Sequence, residues 1–102
     1  MTNFFKISEL SKNTLVGRDI GKETRLKIKD LLLEHENIII DMEDSKQFSP
    51  SFIDEAVVKL VIELGKEEFK RRLKLINISE GMKSLMNSIL HRNLNRDSSK
   101  KE

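Results

Sequence analysis

Hydrophobic and polar residues follow one another in blocks whose spacing predicts strands and helices in turn. The segment Phe4-Phe5-Lys6-Ile7 is typical of a short strand, and polar residues 11–13 predict a turn into a second strand at 14–16. After the entry segment Gly17-Arg18-Asp19-Ile20-Gly21, a 3.6-residue apolar period predicts a helix to about His35. Its apolar face comprises Ile20, Ile28, Leu31 and Leu32, and its solvent face comprises Lys22, Glu23, Arg25, Lys29 and Asp30.

The middle of the chain predicts a buried strand followed by a capped helix. The β-branched run Ile38-Ile39-Ile40, ending in Asp41, is typical of a strand that is buried on both faces at the centre of a helix-covered sheet. Ser49 is a favoured N-cap and Pro50 suits the first helical position, so a helix should begin there and run to Leu64 before Gly65. The charged residues that follow, 66–72, predict a connection or a short helical extension.

The last third of the chain predicts one more strand and one more helix. Residues 73–77 form the strand, and Ser79 begins a helix whose apolar stripe is Met82, Leu85, Met86, Ile89 and Leu90. The pattern fades afterwards, which predicts a single domain over residues 1–92 and a charged, frayed tail over 93–102. The order β(β)-α-β-α-β-α predicts the α/β class, with a small, mostly parallel sheet packed with helices.

Composition restricts the class of protein further. The chain has 102 residues, of which 37% are hydrophobic and 35% charged, and this suits one small domain. It has no Cys, which excludes disulfide scaffolds and Cys-based zinc sites. No apolar run reaches the roughly 20 residues of a membrane span, and the N-terminus lacks the layout of a signal peptide. We therefore expect a cytoplasmic protein that has no membrane association.

The distribution of charge bears on nucleic-acid binding. The net charge is +2, and residues 92–102 supply all of it with four basic and two acidic residues, so residues 1–91 balance at fifteen of each sign. A second, local group of basic residues comprises Lys70, Arg71, Arg72 and Lys74. The chain has no Trp or Tyr for base stacking. Nucleic-acid association through this group and the tail is the alternative function, and it should weaken steeply with salt.

Several short motifs carry a resemblance to a known family. They are Gly17-Arg18 with Gly21 and Arg25, the run Ile38-Ile39-Ile40-Asp41, the block Phe48-Ser49-Pro50-Ser51-Phe52-Ile53-Asp54-Glu55, and Leu75-Ile76-Asn77 before the final helix. With this order of elements, residues 3–92 resemble the STAS-like domain family of unknown function. That family is distantly similar to the STAS domains of bacterial anti-sigma-factor antagonists.

The resemblance implies a function for the turn before the second main helix. In the antagonist proteins a strand leads to an Asp-Ser-Ser-Gly turn, where a partner kinase phosphorylates one serine and so releases a bound regulator. Here the turn is Ser49-Pro50-Ser51-Phe52, which lacks the aspartate and the glycine. The resemblance implies a non-enzymatic regulatory module in signal transduction or transcription regulation. Its implied partner is a histidine-kinase-type ATPase or a transcription regulator.

The residues themselves leave two interpretations of this turn open. Ser49 and Ser51 either cap the helix or form a phosphorylation or partner-docking site. The acidic neighbours Asp54 and Glu55 would oppose a phosphate there. Because consecutive helical residues point about 100° apart, this acidic pair is predicted to be a solvated face or first-turn charges and not a catalytic pair.

The same helix carries an apolar pair outside its predicted buried stripe. Val58 and Ile62 fall between Asp54 and Glu55 on the helical wheel, where they either form an exposed partner surface or are covered by a neighbouring loop. The glycines in Gly17-x-x-x-Gly21 are too close for a phosphate-cradling loop and are typical of a tight entry into a helix. His35 and His91 lack the companions of a metal site or of a nucleophile. We expect no catalytic residue, metal or cofactor.

Overall fold

The computed structural model describes residues 3–12, 14–43 and 48–100, with side chains up to residue 93. Its elements are β1 (Phe4–Lys6), α1 (Ile7–Leu10), α2 (Arg18–Glu34), β2 (Ile38–Asp41), α3 (Pro50–Ile53), α4 (Lys59–Leu64), α5 (Lys66–Arg72), β3 (Leu73–Ile76) and α6 (Glu80–Lys100). A π-helical segment, Asp54–Val58, joins α3 to α4 without a break. The predicted alternation of strands and helices is confirmed.

The three strands form one parallel sheet in the order β1-β2-β3. The predicted central position of β2 is confirmed, and Ile38 and Ile40 are buried on the face that the helices cover. Ile39 is only half-buried, because its neighbours on the other face, Phe4 and Lys74, are exposed. The prediction that β2 is buried on both faces is therefore wrong for Ile39.

The segment after β1 does not form the predicted hairpin. A single helical turn, α1, follows β1 directly, and the N–H of Ser11 donates to the carbonyl of Ile7 at 3.0 Å. This turn buries Ile7 in the core and carries the chain away from the sheet edge. Residues 14–16 form no strand, and the carbonyl of Leu15 instead accepts from the N–H of Ser49 at 3.0 Å.

The predicted helix boundaries agree with the structure at most ends. Ser49 caps α3, Pro50 is its first residue, and Gly65, at φ 92°, ends α4. Ser79 caps α6 through a 3.1 Å bond from the N–H of Met82 to its hydroxyl oxygen. The backbone of α6 continues to Lys100, whereas the sequence pattern predicted an end near residue 92. The division into a domain and a tail at that residue stays a prediction.

Side chains from every layer form the core. Its largest fully buried members are Ile7, Ile28, Ile38, Ile40, Met42, Phe52, Ile53, Val58, Leu60 and Met82. Phe52, Ile53, Val58 and Leu60 come from the continuous helix 50–64, which therefore lies at the centre of the fold. Across the described residues, no helix is both long enough and apolar enough to cross a membrane.

Candidate functional site

The starts of α2 and α3 meet at the side chain of Ser49. Its hydroxyl oxygen accepts from the N–H of Phe52 at 3.1 Å, which is the predicted N-cap bond. The same oxygen accepts from the N–H of Gly17 at 3.0 Å, at the residue that precedes α2. Gly17 has a φ of 99°, a conformation that glycine adopts without strain. Ser49 thus satisfies backbone donors at the ends of both helices.

Ser51 lies beside this joint and is less constrained. Its Oγ lies 3.2 Å from the Oγ of Ser49, and its side chain is half-buried. Because the Ser49 oxygen already accepts two N–H groups, its own hydroxyl hydrogen can be donated to Ser51. Of the two predicted serines, which are both half-buried, Ser49 therefore has a structural role, and Ser51 makes a single side-chain hydrogen bond among the described residues, to Ser49.

A buried glutamate holds α2 against the helix 50–64. One carboxylate oxygen of Glu55 accepts from Arg25 at 3.2 Å, and the other accepts from Lys59 at 2.7 Å and from Arg18 at 3.1 Å. Arg25 also donates to the backbone carbonyl of Glu55 at 2.7 Å. The hydrogen bonds from Lys59 and Arg18 lower the pKa of Glu55 below its ordinary value, although its burial acts in the opposite direction.

Arg18 brings the two consecutive acidic residues together. Its guanidinium lies 3.0 Å from a carboxylate oxygen of Asp54 and 3.1 Å from one of Glu55, while 58% of its side chain is exposed. The prediction that these acids form a solvated face is therefore wrong, because both point to one cation on the facing helix. Asp54 keeps one buried oxygen, Oδ1, without a hydrogen-bond partner among the described residues.

The side chain of Arg25 is buried, although the sequence pattern placed it on the solvent face of α2. Only 10% of it is exposed, so that prediction is wrong. Burial of a guanidinium requires a paired anion, and Glu55 supplies one from the facing helix. The carboxylate of Glu63 lies further along, 3.8 Å from the Arg25 side chain and 3.4 Å from Lys29. Helical periodicity alone does not reveal this pairing across two helices.

The π-helical segment explains the position of Val58. Four consecutive residues, Glu55 to Val58, are buried, which an ordinary helix on a surface does not allow. The wider π turn rotates the side chains, and Val58, with 1% exposure, lines a cavity together with Met86 and Leu90 of α6. Of the two interpretations left open for this pair, an exposed partner surface is therefore wrong for Val58. Ile62 is 40% exposed, which leaves that interpretation open for it.

The carboxyl ends of β2 and β3 carry a second polar cluster that the sequence pattern did not single out as a site. The buried Asp41 accepts hydrogen bonds at 2.9 Å from the side-chain amide of Asn77 and from the N–H of Glu43. The hydrogen bond from Asn77 lowers the pKa of Asp41 most, and the hydrogen bond from Glu43 lowers it further. Asn77 has a φ of 56°. The cluster fixes the exit of β2 toward the turn at Ser49, and residues 44–47 lie outside the described residues.

The basic group predicted for the nucleic-acid alternative is partly engaged in structural contacts. Arg71 binds Glu68 at 2.7 Å and Glu36 at 3.1 Å. Arg72 donates to the backbone carbonyls of residues 32, 35 and 36, and so closes the C-terminal end of α2. Lys70 and Lys74 are exposed.

The two histidines lie apart from this joint. The His35 ring packs against Phe5, with 5.9 Å between the ring centres, and His91 is exposed on α6. Over the described ranges, no group of three or more His, Asp or Glu side chains could hold a metal ion.

A family model matches most of the joint between α2 and the helix 50–64, apart from Gly17 and Arg18. The model described as a STAS-like domain of unknown function (DUF4325) matches residues 21–83, which is more than half of the chain. The matched region begins in α2, includes the serine turn and Glu55, and ends in the first turn of α6. No curated protein and no solved structure matches the chain. The chain therefore belongs to the family of STAS-like domains of unknown function.

Proposed function

We propose that this chain is a non-enzymatic regulatory module that binds a protein partner through the start of α3, and that phosphorylation of Ser51 controls this binding. The family itself is of unknown function, and the support for a regulatory role is the resemblance of the chain's motifs to anti-sigma-factor antagonists. The partner implied by that resemblance is a histidine-kinase-type ATPase or a transcription regulator in a bacterial cytoplasm.

The proposal rests on the different hydrogen bonding of the two serines. The hydroxyl oxygen of Ser49 accepts hydrogen bonds from the backbone of both Gly17 and Phe52, so its modification would break the joint between two helices. Ser51 is half-buried, and its only side-chain hydrogen bond among the described residues is with the Ser49 hydroxyl, so its oxygen can take a phosphoryl group without that loss.

The charges around Ser51 indicate what a phosphate would change. Pro50 has no N–H, and the N–H of Phe52 is taken by Ser49, so this helix start offers fewer donors to an anion than most. Asp54 is one helical turn from Ser51 and would repel the phosphate. Arg18 is exposed and already bound to Asp54, so it is the cation that we expect to respond to the new charge. We therefore expect phosphorylation to draw Arg18 away from Asp54 and to alter the local surface.

The surface available to a partner combines charged and apolar groups. Arg18 and Ile62 are exposed, Asp54 is partly exposed, and all three lie on or beside the helix 50–64. Val58 is buried in the core and is therefore not part of this surface. The serine hydroxyls have no histidine partner in the described hydrogen bonds, which supports a binding function over nucleophilic catalysis.

A phosphorylation experiment tests the proposal. The purified chain is mixed with the histidine-kinase-type ATPase encoded nearest to its gene, with and without ATP, and the phosphate is located by mass spectrometry of peptides. We expect one phosphate, on Ser51, and none on the Ser51→Ala variant. Phosphate on another residue, or no complex and no phosphate with this ATPase, would contradict the proposal.

Nucleic-acid binding has less support as a function. Arg71 is exposed but paired with Glu68 and Glu36, and Arg72 is engaged with Glu68 and backbone carbonyls, which leaves Lys70 and Lys74 as the exposed cations of that group without an ion pair among the described residues. Two separate lysines make a small electrostatic footprint compared with the basic stripe of a nucleic-acid-binding domain.

A further inference from the structure

A cavity of about 190 Å³ lies between α5, β3 and α6, away from the serine turn. Its floor is formed by the buried side chains of Val57 and Val58, and its walls include Phe69, Met86 and Leu90. Lys66, Lys70 and Asn87 also line it, and because these three residues are exposed, they mark its opening to solvent. The cavity therefore combines an apolar interior with a polar rim.

The charge on this rim has one sign. Lys66 and Lys70 are four residues apart on α5, so they share one face of the helix. Neither lysine pairs with an acidic side chain in the part of the chain that the structure describes. Their neighbours Arg71 and Arg72, on the same helix, are both paired with Glu68. No Asp or Glu among the described residues lines the cavity. Two unpaired cations at the mouth of an apolar cavity favour an amphipathic ligand, with an anionic group and an apolar chain or ring.

The volume sets the size of that body. An apolar cavity of about 150 Å³ is known to hold a six-carbon ring. The present cavity is somewhat larger, so it accommodates an unbranched chain of roughly six to eight carbon atoms. A longer acyl chain would extend into solvent and gain little from its additional carbons.

We propose that this cavity is a binding site for a free medium-chain carboxylate, with the chain against Val57 and Val58 and the carboxylate between Lys66 and Lys70. The proposal rests on the cavity and its rim and is independent of the function proposed for Ser51. A neutral hydrocarbon would leave both lysines without a partner, and a small inorganic anion would leave the apolar interior empty.

A titration with octanoate, followed by amide chemical shifts of the labelled full-length chain, tests the site. We expect shifts at residues 57–61, 66–70 and 86–90. In the series from butanoate to octanoate, affinity should rise about fourfold for each added methylene, as burial of a methylene predicts, and then level off with decanoate. 1-Octanol should bind at least tenfold more weakly than octanoate. Absence of shifts with octanoate, or equal affinity for octanol, would overturn the proposal.

Variants distinguish a specific contribution of the two rim lysines from a general effect of the positive charge of the chain. Lys66→Gln with Lys70→Gln should reduce octanoate affinity at least tenfold and leave octanol affinity unchanged. The matched control, Lys12→Gln with Lys22→Gln, removes the same charge from exposed positions outside the cavity and should bind octanoate like the original chain. Val61→Phe places a larger side chain in the cavity wall and should abolish binding of both ligands. Equal octanoate affinity in both lysine double variants would contradict the proposed carboxylate position.

Discussion

Gly21 of α2 lies against Glu55 of the facing helix so closely that a Cβ built on the glycine would stand 2.7 Å from the Cβ of Glu55. The carbonyl oxygen of Phe52 would be 3.0 Å away from the same atom. This approach lets Arg25, one turn further along α2, reach the carboxylate and the backbone carbonyl of Glu55. The glycine and the buried ion pairs are therefore parts of one helix contact.

The first prediction concerns this contact. Gly21→Ala should lower the free energy of unfolding by about 2 kcal/mol, because the added methyl meets the Glu55 Cβ and the helix backbone, neither of which can rotate away. The matched control is Gly81→Ala in α6, where an added Cβ meets no atom within 4 Å. It should leave stability within about 1 kcal/mol or raise it slightly. Urea unfolding followed by circular dichroism measures both, and equal stabilities would refute the close approach.

The second prediction concerns pH. The pKa of Glu55 is lower in the folded chain than in the unfolded chain, so its charged form stabilises the fold above its unfolded pKa. That stabilisation should be lost as pH falls from about 4.3 downward, through the folded pKa. Glu55→Gln should cost about 2 kcal/mol at pH 7 and less at pH 3.

The control for that pH profile is Glu67→Gln, which changes an exposed glutamate of α5 without an ion pair among the described residues. It should follow the profile of the original chain. Asp41 and Glu68 also have lowered pKa values, so some acid sensitivity should remain in Glu55→Gln. A constant difference between Glu55→Gln and the original chain from pH 7 to 3 would show that the carboxylate charge does not stabilise the contact.

The third prediction separates the two apolar residues of the helix 50–64. Val58→Asp should destabilise the chain by about 3 kcal/mol or more, because it places a carboxylate in the core. Ile62→Asp, at a position with 40% exposure, should change stability by no more than about 0.5 kcal/mol. Thermal unfolding followed by circular dichroism distinguishes them. A loss for Val58→Asp as small as the one expected for Ile62→Asp would contradict the burial of Val58.

How far the sequence predicts this structure depends on how local each signal is. The caps at Ser49 and Ser79 and the strand at Ile38–Asp41 follow from neighbouring residues, and the structure confirms them. The burial of Arg25 and the convergence of Asp54 and Glu55 on Arg18 depend on a contact between two helices, in which the paired residues are 30 to 37 positions apart in the sequence. The burial of Val58 depends on a π turn, for which the wheel pattern of an ordinary helix gives no signal.

The fourth prediction concerns the joint at Ser49. Ser49→Ala should cost about 2 kcal/mol, because it removes the cap of α3 and leaves the N–H of Gly17 without its partner. Ser51→Ala should cost less than about 0.5 kcal/mol, since it removes only the bond to the Ser49 hydroxyl. Urea unfolding midpoints of the two variants provide the comparison. A larger loss for Ser51→Ala would reverse the roles assigned to the two serines.

The measurement that tests the regulatory proposal most directly is the affinity of the partner ATPase for three forms of the chain, determined by isothermal titration calorimetry. Ser51→Asp should bind at least tenfold more weakly than the original chain, a loss of about 1.4 kcal/mol in binding free energy. The reason is that it adds negative charge beside Asp54 and competes with Asp54 for the guanidinium of Arg18. Ser51→Ala should bind nearly as well as the original chain. Equal affinities for all three forms would contradict the proposal and leave Ser51 as a structural residue.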